Sequence, residues 1–265
     1  MFELILQITG VVFIGVAKAG FGGGIGIAAV PLFILSMPDP KQAIGMMLPI
    51  LCLCDWFSVL HYRQNFDRKT VFHLYPGVLA GIILASICIY FLGNVSENYL
   101  KIMVGVLSFA FLAYQFTKTM ILKRLEDYRP KPWHGYVFGG GIGLTSTLAH
   151  AAGPVATMYL LPQNMGKQLY VGTNVVLFTL VNISKLPFYF YLGMLDLSLL
   201  GESLKLLPFV PIGTLLGVWM NKHINEKVFN GIIYVFLFLL SVELTTGIKI
   251  FETLYSSLPF LPGVQ

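Results

Sequence analysis

Two glycine-rich segments decide the fold of this chain. Residues 15–35 read GVAKAGFGGGIGIAAVPLFIL, and residues 137–161 read VFGGGIGLTSTLAHAAGPVATMYLL. A glycine and a proline recur at the same spacing in both: Gly20 and Pro31 in the first, Gly143 and Pro154 in the second. A recurrence of this length indicates the internal duplication of one structural unit.

The match continues downstream of the glycine-rich segments. With one residue of slippage, Lys41-Gln42 and Gly45 correspond to Lys167-Gln168 and Gly172, then Asp55 to Asn182, and Pro76, Gly81 and Ala85 to Pro208, Gly213 and Gly217. The register changes only where loops are expected, as divergence after duplication produces. The sequence therefore predicts two homologous halves, residues 1–116 and 133–265, joined by a linker at 117–132.

The composition is that of a membrane protein. Hydrophobic residues make up 56% of the chain and charged residues 11%, whereas soluble domains carry about 25% charged residues. Stretches such as 71–92 are long enough for a helix to cross the hydrocarbon, which takes about 20 apolar residues. A membrane β-barrel would instead show segments of about ten residues that alternate between apolar and polar. We therefore predict an all-α polytopic membrane protein.

Each half contains three plain transmembrane helices by this criterion. They cover 42–61, 71–93 and 98–118 in the first half, and 168–192, 203–221 and 227–247 in the second. The glycine-rich opening segment of each half is too long for one straight crossing, and it is interrupted at Gly20–Gly24 or at Thr145–Thr147. Two alternatives follow: a broken helix that crosses once, or a re-entrant hairpin that dips in and returns.

Basic residues distinguish the two sides of the membrane, because Lys and Arg accumulate in cytoplasmic loops. The linker region carries five of them and is predicted to be cytoplasmic: Lys118, Lys123, Arg124, Arg129 and Lys131. If the glycine-rich segments cross the membrane, ten basic residues of the connections lie on one side and five on the other. If the segments return as hairpins, the numbers are eleven and four. We favour the hairpin, which gives the halves opposite topology, an inverted repeat of the kind found in secondary transporters.

The two glycine-rich breaks are the predicted substrate site. Non-helical backbone at membrane depth has to be buried in protein or to line a wet cavity. Glycine lets backbone N–H groups approach a ligand, and a helix that restarts after a break directs its positive end at an anion. The candidate binding groups are the backbone of Gly22, Gly23 and Gly24 and the side chains of Thr145, Ser146, Thr147 and His150. The competing interpretation is that the glycines only allow close helix packing.

Further polar and charged residues lie within apolar runs. Asn174, Asn182 and Lys185 are spaced to lie near one face of a helix. Lys185 is an intramembrane cation, and the cost of such a charge favours a role in substrate binding. Lys18 lies beside the first break, where it either balances charge or extends toward the interface. For Asp55 we predict proton coupling or charge pairing, with a structural ion pair as the alternative.

Other function classes lack their sequence signals. There is no nucleotide-binding P-loop, the histidines lack metal-ligand spacing, and the glycine runs lack the strand context of a dinucleotide-binding fold. We therefore expect no enzyme activity, no catalytic residues, no cofactor and no metal site. The net charge of +5 resides mostly in the connections, where anionic lipid explains it without nucleic acid.

At these residues the sequence resembles the TauE/SafE sulfite exporter family, also called the toluene sulfonate uptake permease family. The resemblance covers nearly the whole chain and rests on four motifs: Gly20–Gly26 with Pro31, Gly139–Thr147, Gly153-Pro154 and Gly172–Asn174. It implies a bacterial inner-membrane transporter with duplicated halves that moves sulfite, sulfoacetate or related organosulfur anions, driven by an ion gradient.

The sequence thus predicts a secondary transporter of small sulfur-containing anions, more specifically an exporter. It would work by alternating access about a central site between the two breaks. An anion channel and a permease for a different small anion are the alternatives. The expected partners are the anion, the lipid bilayer and a coupling ion, for which we predict the proton. No oligomeric state is indicated.

Overall fold

The computed structural model describes residues 2–256 apart from 21–26, 63, 96, 126–130 and 225, and these described residues form helices without any strand. In chain order the helices are α1 (Phe2–Gly20), α2 (Ala29–Leu35), α3 (Pro40–Tyr62), α4 (Arg68–Val95), α5 (Glu97–Leu125), α6 (Pro132–Ala149), α7 (Gly153–Leu160), α8 (Lys167–Tyr191), α9 (Leu197–Leu206), α10 (Phe209–His223), α11 (Glu226–Thr246) and α12 (Ile250–Ser256). A short 3-10 turn follows α7 at Leu161–Gln163.

Four of these helices are long and apolar enough to cross a membrane, namely α3, α4, α5 and α8. Two bent pairs, α9 with α10 and α11 with α12, raise the number to as many as six within the described residues. The all-α polytopic fold expected from composition is therefore confirmed. Helices α3, α4, α5, α8 and α11 lie at five of the six spans expected from hydropathy.

The span expected at 203–221 differs, because it is not one straight helix. It begins earlier, at Leu197, where the side chain of Asp196 caps α9 by accepting the N–H of Leu199 at 2.8 Å. A bend of 42° then separates α9 from α10. Pro208 lies at the bend and has no N–H to continue the hydrogen bonds of α9, which explains why the helix changes direction there.

The first glycine-rich segment folds back on itself. The Phe33 ring of α2 lies so close to Gly10 of α1 that a β-carbon on Gly10 would be 2.7 Å from it. Leu32 packs in one cluster with Leu6, nearer the start of α1. The short helix α2 therefore lies beside the first half of α1 instead of extending it, which is the geometry of a hairpin.

The second glycine-rich segment folds back in the same way. Val155 of α7 lies 3.1 Å from the position of a β-carbon on Gly141 of α6. Later in α7, the ring of Tyr159 packs against the ring of Phe138, which comes earlier in α6 than Gly141, with the ring centroids 5.4 Å apart. As the chain advances along α7 it moves back along α6, so the two helices are antiparallel. Whether either hairpin re-enters the bilayer stays a prediction.

The position of the second break corrects the expectation at Thr145–Thr147. Helix α6 continues through these residues to Ala149, and the chain turns at His150, whose φ is +48°. The N–H groups of His150 and Ala151 cap the end of α6 by donating to the Ser146 and Thr145 carbonyls, as in other left-handed C-caps. Histidine is one of the residues that enter this conformation more readily than most.

Glycines set the closest helix contacts. A β-carbon on Gly81 of α4 would overlap the carbonyl oxygen of Gly140 in α6, and one on Gly139 would overlap the carbonyl of Leu74. The residues in contact have numbers that increase in the same direction along α4 and α6, so these two helices are parallel. The same relation joins α1 to α10, where Gly213 meets Val12 and Gly217 meets Val16. At these positions the packing interpretation of the glycines is correct.

Two pairs of helices that correspond in the predicted repeat, α3 with α8 and α5 with α11, run antiparallel to each other. In α3 and α8, Gly45 meets Met194 while Asp55 meets Asn182. In α5 and α11, the ring of Phe109 contacts Phe238 and that of Phe116 contacts Tyr234. Antiparallel pairing of equivalent helices is what an inverted repeat requires. The repeat boundaries and the membrane topology remain predictions.

Candidate functional site

The side chain of Lys185 lies at the centre of the candidate site. It is fully buried, with 0% of its surface exposed, although it belongs to the apolar helix α8. Its Nζ lies 3.0 Å from Ser146 Oγ, 3.3 Å from the Ser146 carbonyl oxygen and 3.0 Å from Nδ1 of His150. These contacts match the three N–H donors of an ammonium group. Lys185 thus joins α8 to the break between α6 and α7.

His150 links this lysine to the first half of the chain. Its Nε2 lies 3.1 Å from the backbone carbonyl oxygen of Ile44 in α3. A carbonyl only accepts hydrogen bonds, so Nε2 carries the proton and donates it. The hydrogen-bond network thereby assigns Nδ1 as the acceptor for Lys185.

The three hydroxyl groups before the break are already engaged. Thr145 and Thr147 donate to the carbonyls one turn earlier, of Gly141 at 2.7 Å and Gly143 at 2.8 Å. These bonds keep the threonines helical, and they turn the hydroxyl protons away from a ligand. The hydroxyl oxygen of Ser146 accepts from Lys185, so only this hydroxyl belongs to the lysine cluster.

Asp55 and Asn182 form a second polar contact between the halves. The Asn182 amide donates to Asp55 Oδ2 at 2.6 Å, and the two residues are only 5% and 7% exposed. Asn182 is three residues before Lys185, so this contact is about one turn of α8 away from the lysine cluster. The structure therefore brings together two residues that the sequence matched between the predicted repeats.

Asn174 lies apart from both contacts. It precedes Lys185 by about 16 Å along α8, and its buried Oδ1 has no hydrogen-bond partner among the described residues. The remaining candidates are not described: Gly22, Gly23 and Gly24 lie outside the described residues, and Lys18 is described only as part of α1. Their predicted roles therefore stay predictions.

The two breaks approach the same region of the protein. Ile27 and Ala28, which follow the first break, pack in one apolar cluster with Phe111 and Leu112 of α5, and Ala151 of the second break packs against that cluster. The described residues after each break therefore meet at the same apolar cluster.

The sulfite exporter TauE/SafE family matches residues 8–244 of the chain. The chain belongs to this family. No curated protein and no solved structure matches it in addition. The match confirms the resemblance seen in the glycine-rich motifs, and it makes the protein a multi-pass membrane transporter of a family that exports sulfite.

In this TauE/SafE protein, Tyr189 belongs to the site although its sequence context did not single it out. Its side chain is completely buried, and its hydroxyl donates to the Thr147 carbonyl at 2.7 Å. Its ring centroid lies 5.8 Å from Lys185 Nζ, within the range of a cation–π contact. Tyr189 is one turn after Lys185, so the i,i+4 spacing was the available signal.

The chemistry of the cluster suits an anion. Lys185 supplies a positive charge in a buried place, Ser146 supplies a hydroxyl, and helix α7 begins three residues after His150, at Gly153, without a side-chain cap. The N–H groups of Gly153 and Val155 in this uncapped first turn, where Pro154 has none, attract negative charge. Together these groups can stabilise a small oxyanion at the second break.

Proposed function

We propose that this protein is a secondary transporter that exports sulfite or a related small sulfur oxyanion by alternating access. The observation that carries the proposal is the buried ammonium of Lys185 at the break of the second hairpin. Desolvating a cation is costly unless something compensates for it. In a sulfite exporter family, the substrate is an anion able to provide that compensation.

Anion binding at this site requires an exchange of partners. The three donors of Lys185 are directed at Ser146 and His150 in this conformation. An incoming oxyanion would take over at least one of these donors, and the Ser146 hydroxyl could then turn its own proton to the anion. We therefore expect the hydrogen bonds of Lys185 to Ser146 and His150 to change when an anion binds.

Antiparallel equivalent helices support the alternating-access part of the proposal. If the halves are inverted copies, exchanging their conformations moves access from one side of the membrane to the other. Asp55 and Asn182 lie at the contact between the equivalent helices α3 and α8, where such a rearrangement has to occur. We further propose an inner-membrane location with the basic linker in the cytoplasm.

A liposome assay tests the function. Purified protein is reconstituted into vesicles, and the uptake of radiolabelled sulfite is followed with and without a proton gradient, in competition with thiosulfate, sulfoacetate and taurine. Vesicles preloaded with unlabelled sulfite should accelerate uptake of the label, because a carrier exchanges substrate across the membrane. Flux without this acceleration would indicate an anion channel, and competition by unrelated anions alone would indicate a different permease.

A further inference from the structure

The contact between His150 and Lys185 is able to sense protons. With Nε2 donating to Ile44, Nδ1 of His150 is the single acceptor site of the ring, and it is occupied by a donor of Lys185. A proton that binds Nδ1 removes this acceptor and places a second positive charge 3.0 Å from the ammonium. The proton and the Lys185 hydrogen bond therefore exclude each other.

We propose that His150 couples anion binding to proton uptake at this site. Protonation of Nδ1 releases one donor of Lys185, which then turns to the anion, and the added charge on the imidazole attracts the same anion. At most one proton is taken up from solution for each anion that binds, and this proton is released again when the anion dissociates. This inference rests on the proposed function, since it requires the anion to bind at Lys185.

The other polar groups around His150 favour this assignment. Its ring faces Tyr189, with centroids 6.3 Å apart, and Lys185 on α8, while α3 presents the Ile44 carbonyl and α6 presents Ser146. Asp55 of α3 is the alternative proton carrier, and it is bonded to Asn182. His150 is hydrogen-bonded directly to the lysine that would hold the anion. Imidazole also titrates in the physiological range.

The test measures proton uptake on anion binding by the purified full-length protein. Sulfite itself gains a proton near neutral pH, so thiosulfate and ethanesulfonate, whose charges stay constant there, are the probes. Calorimetric titration in buffers of different ionisation enthalpy gives the number of protons bound per anion. We expect uptake by the wild type, with affinity falling by up to about tenfold per pH unit as pH rises above the histidine pKa.

The decisive variant is His150→Asn. Asparagine tolerates the left-handed backbone of this position and offers an acceptor to Lys185, but it does not titrate. It should bind the probe anion with no proton uptake and with an affinity independent of pH. Asp55→Asn is the comparison variant, since it removes the alternative proton carrier: retained proton uptake supports His150, and its loss would assign the proton to Asp55.

Wild-type protein provides a second measurement if the variant does not fold. Infrared difference spectra on adding thiosulfate should show imidazolium bands, whereas a new carboxylic acid band would assign the proton to Asp55 and overturn the inference. Unchanged proton uptake in His150→Asn would also overturn it. Anion binding without proton uptake contradicts the coupling alone, while failure to bind or transport any sulfur anion contradicts the proposed function.

Discussion

The ammonium group of Lys185 has two possible reasons to be buried where it is. It donates to the Ser146 carbonyl in the last turn of α6, and a cation at a helix C-terminus is stabilised by the helix dipole. That contact alone would make Lys185 a structural cap. The bond to the Ser146 hydroxyl and the uncapped start of α7, three residues after His150, are the observations behind the proposed anion-binding role. Substitution separates these roles.

Lys185→Met should weaken the binding of thiosulfate or sulfite about ten- to a hundredfold. A charge-assisted hydrogen bond contributes about 1.5 to 3 kcal/mol, which corresponds to this loss of affinity. Equilibrium binding of radiolabelled anion to purified protein measures it. Lys205→Met, which makes the same change at an exposed position of α9, is the control and should bind normally. Equal affinities in the two folded variants would leave Lys185 as a structural cap.

Asp55→Ala should destabilise the protein more than Asp55→Asn does. Alanine leaves the buried amide of Asn182 without its acceptor, at a cost of about 1 to 3 kcal/mol, whereas asparagine still offers a carbonyl oxygen. Thermal unfolding of the detergent-solubilised protein compares the two variants. Indistinguishable midpoints would mean that the contact at 2.6 Å does not stabilise the pairing of α3 with α8.

At the scale of whole helices, glycines determine how closely α4 and α6 approach. Gly77 and Gly81 of α4 lie against the α6 backbone, and Gly139 and Gly143 of α6 lie against the α4 backbone. Close approach of this kind gives membrane helices van der Waals contact where no hydrophobic effect drives association. The parallel α4–α6 pair thereby places the second hairpin against the first half of the chain.

Gly81→Ala should lower stability by about 1 to 3 kcal/mol, the usual cost of overpacking. The added methyl group overlaps the backbone of Gly140, which cannot rotate away as a side chain could. The free energy of unfolding in mixed detergent, compared with that of the wild type, measures the effect. Gly201→Ala is the matched control in α9, where a β-carbon meets nothing within 4 Å, and it should be neutral or slightly stabilising. Equal stability of both variants would contradict tight α4–α6 packing.

At the scale of the molecule, two inverted halves require the hairpins to enter from opposite sides. The start of α8 lies beside the connection from α3 to α4, where the Asp67 N–H donates to Thr173 at 2.9 Å and Asn65 contacts Gln168. The start of α3 lies at the other end of α8, beside Met194. The chain segments after the two hairpins are thus at opposite ends of the helix bundle.

Cysteines placed at Lys41 and Lys167 should therefore be labelled from opposite sides of the membrane. A membrane-impermeant maleimide added to intact cells should modify the first and not the second, and a cysteine at Arg124 should behave like that at Lys167. Protein without the added cysteines controls for reaction at Cys52, Cys54 and Cys88, which are partly buried. Labelling of both Lys41 and Lys167 positions from outside would refute the inverted topology.

The sequence alone determined the membrane class and the long helices, because hydropathy over about 20 residues is a local property. It also indicated the family through motifs that recur along the chain. It placed the second break one turn too early, since Thr145 and Thr147 donate to their own helix, and no local pattern marked His150 as the turning residue.

Only the tertiary structure decided which polar groups meet. Lys185 is 35 residues from His150 and 39 from Ser146 in sequence, and the Ile44 carbonyl that orients the imidazole carries no sequence signal at all. The shared face predicted for Asn174, Asn182 and Lys185 extends over about 16 Å of α8, and Asn182 and Lys185 meet different partners, so a common role for the three stays a prediction. The partners of a buried group depend on which helices pack together, and these helices are distant in sequence. The spacing of residues within one helix carries no information about that packing.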